Sequence, residues 1–202
     1  MQFRLVPWVY DLVMARAEHG RLGRWRDQLV GAVTGRTLEI GAGTGLTFAH
    51  YPVGTWVVAT DPDVAMLDRA KARAALARAT ILLVVADGEA LPFRDGAFSE
   101  AIVGLAMCTI PHPERALDEL GRALEPNGRL RLLEHVRLDN PLFGRLQDWM
   151  TPIWRRVAGG CRLNRRTALV VDRSRLFSVT SVRSYLGGYV QNIVAVRIRT
   201  QP

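Results

Sequence analysis

Lysine is almost missing from this chain of 202 residues: of 27 basic residues only Lys71 is lysine, and the rest are arginine. Set against 19 acidic residues, this leaves a net charge of +8. Cysteine is scarce too. Cys108 and Cys161 are the whole supply, which excludes the small disulfide-stapled class. No run of about 18 apolar residues occurs, so no membrane-spanning helix is expected. The opening residues, Met1-Gln2-Phe3-Arg4-Leu5-Val6-Pro7-Trp8, lack the basic start, apolar core and cleavage site of a secretory signal. A cytoplasmic chain is expected. No set of His, Asp and Glu shows metal-ligand spacing, so no metal is expected.

What is present suits a single domain over residues 1–202, since 49% of the chain is hydrophobic and can bury a core. The arginine excess has a compositional reading and an electrostatic one, attraction to anionic surfaces. Arg155, Arg156, Arg162, Arg165, Arg166, Arg173 and Arg175 gather late in the chain beside Trp149 and Trp154. No nucleic-acid-binding motif accompanies them, so nucleic acid is not expected as a partner. Peripheral contact with an anionic membrane stays open, as does the choice between monomer and homodimer.

Periodicity predicts two helices within residues 5–32, separated by Gly20 and Gly23, as an N-terminal cap over residues 1–32. Strands are expected at 36–40, 55–60, 81–86, 98–105 and 129–135, the third as a continuous apolar run buried on both faces. Helices are expected at 63–79 and 113–124. This alternation implies an α/β fold, a parallel sheet with helices on both faces. A helical segment on the substrate side follows at 140–175, with a helix at 142–157 kinked by Pro152. Two closing strands, 177–185 and 191–199, flank Gly187-Gly188.

The strongest local signal is Leu38-Glu39-Ile40-Gly41-Ala42-Gly43-Thr44-Gly45, between a strand and a helix. Glycine there leaves room for a ligand against backbone and permits positive φ. The spacing is G-x-G-x-G, and Leu46 stands where a dinucleotide fingerprint wants a small residue. Asp61 closes the second strand, where a carboxylate can accept two hydrogen bonds from a ribose diol. Asp61 could instead cap the next helix, a task Asp63 could also do.

Glu39 to Gly45, then Asp61-Pro62, then Asp87-Gly88-Glu89-Ala90-Leu91-Pro92-Phe93, then Glu125-Pro126-Asn127-Gly128, resemble the ordered motifs of class I S-adenosylmethionine-dependent methyltransferases. The resemblance spans about residues 36–136. It implies a Rossmann-like doubly wound sheet of about seven strands, mostly parallel with an antiparallel last strand, and S-adenosyl-L-methionine as cofactor, with S-adenosyl-L-homocysteine as product. It further implies that Gly41, Ala42 and Gly43 face the methionine and sugar, that Glu39 holds the methionine end, and that Asp61 and Pro62 meet the ribose. Met66 would pack on adenine, Asp87 and Gly88 would meet the adenine edge, Leu105 would lie along the methionine, and Tyr10 would close over the cofactor. One departure stands out: Phe98-Ser99-Glu100 replaces the Phe-Asp that often opens the fourth strand, which bears on a local contact.

Leu105-x-x-Cys108, Glu134-His135-Val136 and Gly160-Cys161-x-Leu163-x-Arg165 resemble a narrower branch, the microsomal alkyl-thiol methyltransferases and their bacterial relatives. This implies a small, largely apolar acceptor methylated on sulfur. N-methylation of a lipid headgroup, methylation of another small metabolite, and cofactor binding without catalysis stay as alternatives. His135 is the candidate base, its imidazole being suited to neutral pH, or else a strand-end histidine bonded to backbone. Cys108, His135, Trp149, Met150 and Trp154 are the candidate acceptor-binding residues, though helical spacing alone would equally place the last three in a core.

Overall fold

The computed structural model describes residues 18–198. A short irregular helical turn, Glu18–Leu22, bends at Gly20 and leads into α1, Gly23–Val30. The elements then run β1 Arg36–Ile40, β2 Trp56–Asp61, α2 Val64–Leu76, β3 Thr80–Val85, β4 Phe98–Gly104, α3 Pro113–Ala123 and β5 Leu124–His135. They close with α4 Pro141–Val157, α5 Thr167–Arg173, β6 Phe177–Tyr185 and β7 Val190–Arg197. Seven strands form one sheet in the order β3-β2-β1-β4-β5-β7-β6. The first five run parallel, and β7 is antiparallel to both of its neighbours. The expected sheet is therefore the observed one, and Tyr10, with the first helix of the expected cap, lies outside the described residues. No helix among those residues is long and apolar enough to cross a membrane.

Strand alternation sends successive side chains to opposite faces, and two cores result. Leu38, Ile40, Val58, Ala101, Val103, Leu130 and Leu132 pack with Leu117 and Leu120 of α3 and Val171 of α5. Val57, Ala59, Ile102 and Leu133 pack on the other face with Leu29 and Val30 of α1 and Ala70 of α2. Each fully buried Leu or Ile contributes about 1.5–3 kcal/mol. The order of strands reverses between β1 and β4, so the loops at their carboxyl ends diverge and leave a crevice.

One expectation about the strands needs correction. β3 is not buried on both faces: it is the edge of the sheet, where helices cover the two faces incompletely, and Leu82 and Val85 are exposed. Helix α5 falls within the helical segment expected at 140–175, as its second helix after α4. The unusual Ser99-Glu100 pair is absorbed locally. Ser99 Oγ donates to the Thr34 and Arg36 carbonyls, and buried Glu100 accepts from Arg131 Nε at 2.9 Å.

Candidate active site

At the end of β1 the chain folds back over the tip of β2. The Ala42 N–H donates to the Thr60 carbonyl at 2.9 Å, and the Gly43 N–H donates to Asp61 Oδ2 at 2.9 Å. Gly41 and Gly43 both hold positive φ, at 66° and 57°. Their requirements differ in kind. A Cβ on Gly41 would lie 2.3 Å from the Ala106 Cβ, whereas one on Gly43 would meet nothing within 4 Å. Gly41 is thus fixed by packing, and Gly43 borders open space in the crevice.

Asp61 is nearly buried at the carboxyl end of β2, its Oδ1 accepting from the Asp63 N–H at 2.9 Å. Asp63 itself caps α2, accepting from the Ala65 N–H at 3.0 Å. The cap therefore belongs to Asp63, and Asp61 fastens the glycine turn. Pro62 is exposed and Met66 half-buried on the first turn of α2. Exposed Asp87 accepts from the Glu89 N–H, and Gly88 is buried with Ile40 behind it, where a Cβ would come within 3.3 Å. These groups line the carboxyl ends of β1, β2 and β3.

Glu39, expected at the methionine end, stands near the end of β1, beneath the glycine turn. It is buried at 1% exposure, and its Oε2 accepts from the Tyr51 hydroxyl at 2.9 Å. Burial pushes its carboxyl from the ordinary 4.5 up to about 7, against hydrogen bonds from Tyr51 and Thr47 and the charge of Arg26. Arg26 Nη1 in turn donates to Thr47 Oγ1 at 2.8 Å. Glu39 thus braces the turn from beneath through protein partners.

Leu105 follows β4 with φ 58°, a left-handed conformation that costs a non-glycine residue about 1–3 kcal/mol and that persists only where surroundings enforce it. The enforcing group is Glu134, fully buried at the end of β5. It accepts from the Ala106 and Met107 N–H groups at 2.8 Å each and from the Cys108 N–H at 3.3 Å. Burial pushes its carboxyl up to about 7, opposed by His135 and by these three N–H groups. Arg165 braces the same loop by donating to the Met107 and Ile110 carbonyls.

Beside this loop His135 Nε2 lies 3.0 Å from Cys161 Sγ, with its ring stacked on Tyr189. Cys108 Sγ, Cys161 Sγ and a His135 ring nitrogen all fall within 4.8 Å of one another. The hydrogen bond from Cys108 and the neighbouring imidazole hold Cys161 down at about 4, against burial. That same hydrogen bond, with burial, pushes the Cys108 thiol up. Burial pulls His135 down, but the hydrogen bond and charge of Cys161, with the charge of Glu134, outweigh it and leave His135 above its ordinary value. His135 Nδ1 is buried and has no hydrogen-bond partner among the described residues.

A cavity of about 430 Å³ opens here, walled by Leu22, Trp25, Leu105, His135, Leu186 and Tyr189, among others. Its lining is mainly apolar. Trp149 and Met150, expected to line an acceptor pocket, do not: Trp149 is 71% exposed, and both lie on the outer face of α4. Trp154 is also exposed, but its indole reaches Cys161. Glu134, Cys161 and Tyr189 are the site residues that sequence reasoning left without a role. The first two stood inside the quoted Glu-His-Val and Gly-Cys motifs, and nothing in the sequence marked Tyr189.

A glycine turn tied to a strand-end carboxylate at the switch point of a doubly wound sheet defines a nucleoside-binding α/β enzyme. Residues 38–132 match the family described as methyltransferase domain, and the chain is similar to S-adenosylmethionine-dependent methyltransferases. It is 34% identical over 140 residues to a demethylmenaquinone methyltransferase of Renibacterium salmoninarum, covering 67% of this chain and 56% of that protein. It is 28% identical over 141 residues to human thiol S-methyltransferase TMT1A, covering 68% of this chain and 58% of that protein. The chain thus spans less than two thirds of the length of these relatives. A methyltransferase of Aquifex aeolicus shares the fold at a TM-score of 0.69 and 14% identity, covering 96% of this chain and 100% of that one. S-adenosylmethionine is the cofactor this family uses, and the open face of Gly43 beside Asp61 is a cradle that fits it.

Proposed function

We propose that the protein methylates the sulfur of a small, largely apolar thiol. The observation that carries this is the cavity at the Leu105 end of the crevice, whose mainly apolar wall is interrupted by His135, backed by Cys161, together with Arg21 and the Tyr189 ring. A volume near 430 Å³ suits an acceptor of drug-like size or smaller. When bound, S-adenosylmethionine supplies a methyl group already activated by a sulfonium. Little then remains for the chain to do beyond alignment, exclusion of water and acceptance of a proton.

Asp61 and the Gly43 backbone would hold the ribose side, and Leu105, pinned in its strained conformation by Glu134, would set the methionine side. The His135–Cys161 pair would take the thiol proton, and an ordinary thiol with a pKa of about 8.5 gives it up readily. The thiol S-methyltransferase relative supports this reading. Two free cysteines fit a reducing, cytoplasmic compartment.

The demethylmenaquinone methyltransferase relative, at higher identity, favours a second reading, methylation of an apolar quinol on carbon. Turnover with labelled cofactor separates them. A panel of alkyl and aryl thiols should be methylated. A quinol analogue turned over while every thiol stays silent would replace the first reading with the second. N-methylation of a lipid headgroup would show in the same assay as label in phosphatidylethanolamine vesicles.

A further inference from the structure

The chain's two cysteines, far apart in sequence, meet one of its four histidines at the acceptor end of the crevice. We propose that Cys108, His135 and Cys161 form a three-ligand site for a divalent zinc-type ion, with its fourth position open to the cavity. Three ligand atoms within 4.8 Å of one another suit a tetrahedral ion, whose bonds of about 2.3 Å to sulfur and about 2.0–2.1 Å to nitrogen set ligand separations of about 3.5–3.8 Å. Two sulfurs and an imidazole select zinc-like ions over magnesium or calcium. Three protein ligands with one open position is the pattern of a catalytic site, and a structural one would be closed by a fourth ligand.

The ligands are held by the protein before any ion arrives. The Cys108 N–H is bound by Glu134, its carbonyl accepts from the Arg162 N–H at 3.0 Å, and the His135 ring stacks on Tyr189. Of the three ligands His135 lines the cavity, beside Leu105, and an acceptor would approach the ion from that side.

The site's use rests on the thiol reading. With the ion held, His135 and Cys161 are its ligands and do not take the proton: the acceptor's S–H bond would break, its proton leaving to water, and the sulfur would bind the ion as thiolate. A lone pair of that sulfur then forms the new bond to the methyl carbon. The carbon–sulfur bond of the sulfonium breaks, its electron pair staying on the cofactor sulfur. The neutral thioether is a poor ligand and departs.

Cobalt(II) titrated into reduced, metal-stripped protein tests the site without any turnover. One equivalent should bind with a thiolate-to-cobalt charge-transfer band, which Cys161→Ser and Cys108→Ser should each diminish and an added alkyl thiol should shift. Absence of the band while thiol titration counts two reduced cysteines overturns the site. Thiol methylation undiminished in metal-free protein overturns its role and leaves the thiol reading intact. A protein that binds cobalt with the band yet methylates no thiol upholds the site and removes the thiol reading.

A separate observation concerns α4, which is amphipathic in the inverted sense. Its inward positions are Gly144, Gln147 and Thr151, with Gln147 fixed by bonds to the Val136 and Leu163 carbonyls and the Leu138 N–H. Its outward stripe is Leu142, Phe143, Leu146, Trp149 and Ile153, all exposed, and Arg145, Arg155 and Arg156 are exposed on the same helix. An apolar stripe with tryptophan and flanking arginine on a chain of net charge +8 is complementary to an anionic bilayer surface, and we infer that α4 docks there. Binding to phosphatidylglycerol-containing vesicles should exceed binding to phosphatidylcholine vesicles by about tenfold or more and weaken with salt. The pair Trp149→Glu with Ile153→Glu, matched in thermal melting, should abolish it. Equal affinity for both vesicles, or a concentration-dependent dimer lost in that variant while vesicles go unbound, overturns the inference.

Discussion

The two ends of the crevice are built on different plans. The cofactor end is local and made of backbone: Gly41 to Gly45 is contiguous, and Asp61 and Gly88 stand at the tips of neighbouring strands. The other end, where the acceptor is proposed to enter, is non-local and made of side chains, buried Glu134 and Arg165 with half-buried His135 and Cys161, drawn together from the tip of β5 and the loop after α4. The first plan fixes a ligand common to a whole family. In the second, each group depends on others for its position, so a loss there should spread into folding as well as function.

The largest effect expected from that contrast is at Glu134. Replacing it with alanine leaves three buried N–H groups without an acceptor and releases Leu105 from its enforced conformation. Denaturant unfolding should show a loss of about 3–5 kcal/mol. Glu134→Gln, which keeps one carbonyl oxygen, should recover part of it. A variant as stable as the parent would mean that the loop is held by something else.

Asp61→Ala comes next and strikes the other end. Two charge-assisted bonds to a bound ribose should be lost, weakening cofactor affinity by about 2–4 kcal/mol in calorimetry. Because Asp61 also ties Gly43, a small loss of stability should accompany it. Unchanged affinity would move the ribose elsewhere.

A third prediction uses pH to read the brace beneath the turn. Glu39 titrates near 4.5 when unfolded and near 7 when folded, chiefly through burial. Between those values the native state binds more protons than the unfolded state, so Glu39's contribution is complete below about 4.5 and is lost as pH rises through about 7. Glu39→Gln keeps an acceptor for Tyr51 and removes the titration. The difference in unfolding free energy between parent and variant should therefore change by on the order of 3 kcal/mol across that window. A difference that stays flat with pH would show Glu39 to be solvated.

How far each plan could be read in the sequence follows from its construction. The glycine turn, Asp61 and the strand boundaries near them were legible because neighbours in the chain are neighbours in the site. The order of motifs carried the sheet with it. The convergence of Cys108, His135 and Cys161 was not legible, since metal-ligand spacing is a local signal and these residues arrive from two separate loops and the end of β5. Trp149 was misassigned for a related reason: helical spacing reports that one face is apolar, and α4 turns that face outward because Gln147 and the Arg137–Asp148 pair fasten the opposite one. Burial of β3 failed likewise, an apolar run being the same whether a strand is central or at the edge.

The smallest expected effect sharpens the comparison most, because it separates packing from ligand space within a single turn. Gly41 and Gly43 share positive φ, so alanine at either position costs about 1–2 kcal/mol in backbone strain. At Gly41 the added methyl also drives into Ala106, and since Ala106 donates to Glu134 the disturbance should pass to the acceptor end. At Gly43 the methyl enters open crevice and meets no protein atom within 4 Å. Gly43→Ala should therefore melt only slightly below the parent while losing cofactor affinity out of proportion, whereas Gly41→Ala should lose stability first. Paired thermal melts with and without S-adenosylhomocysteine measure both. If Gly43→Ala binds as tightly as the parent, the space in front of Gly43 is not where the nucleoside lies.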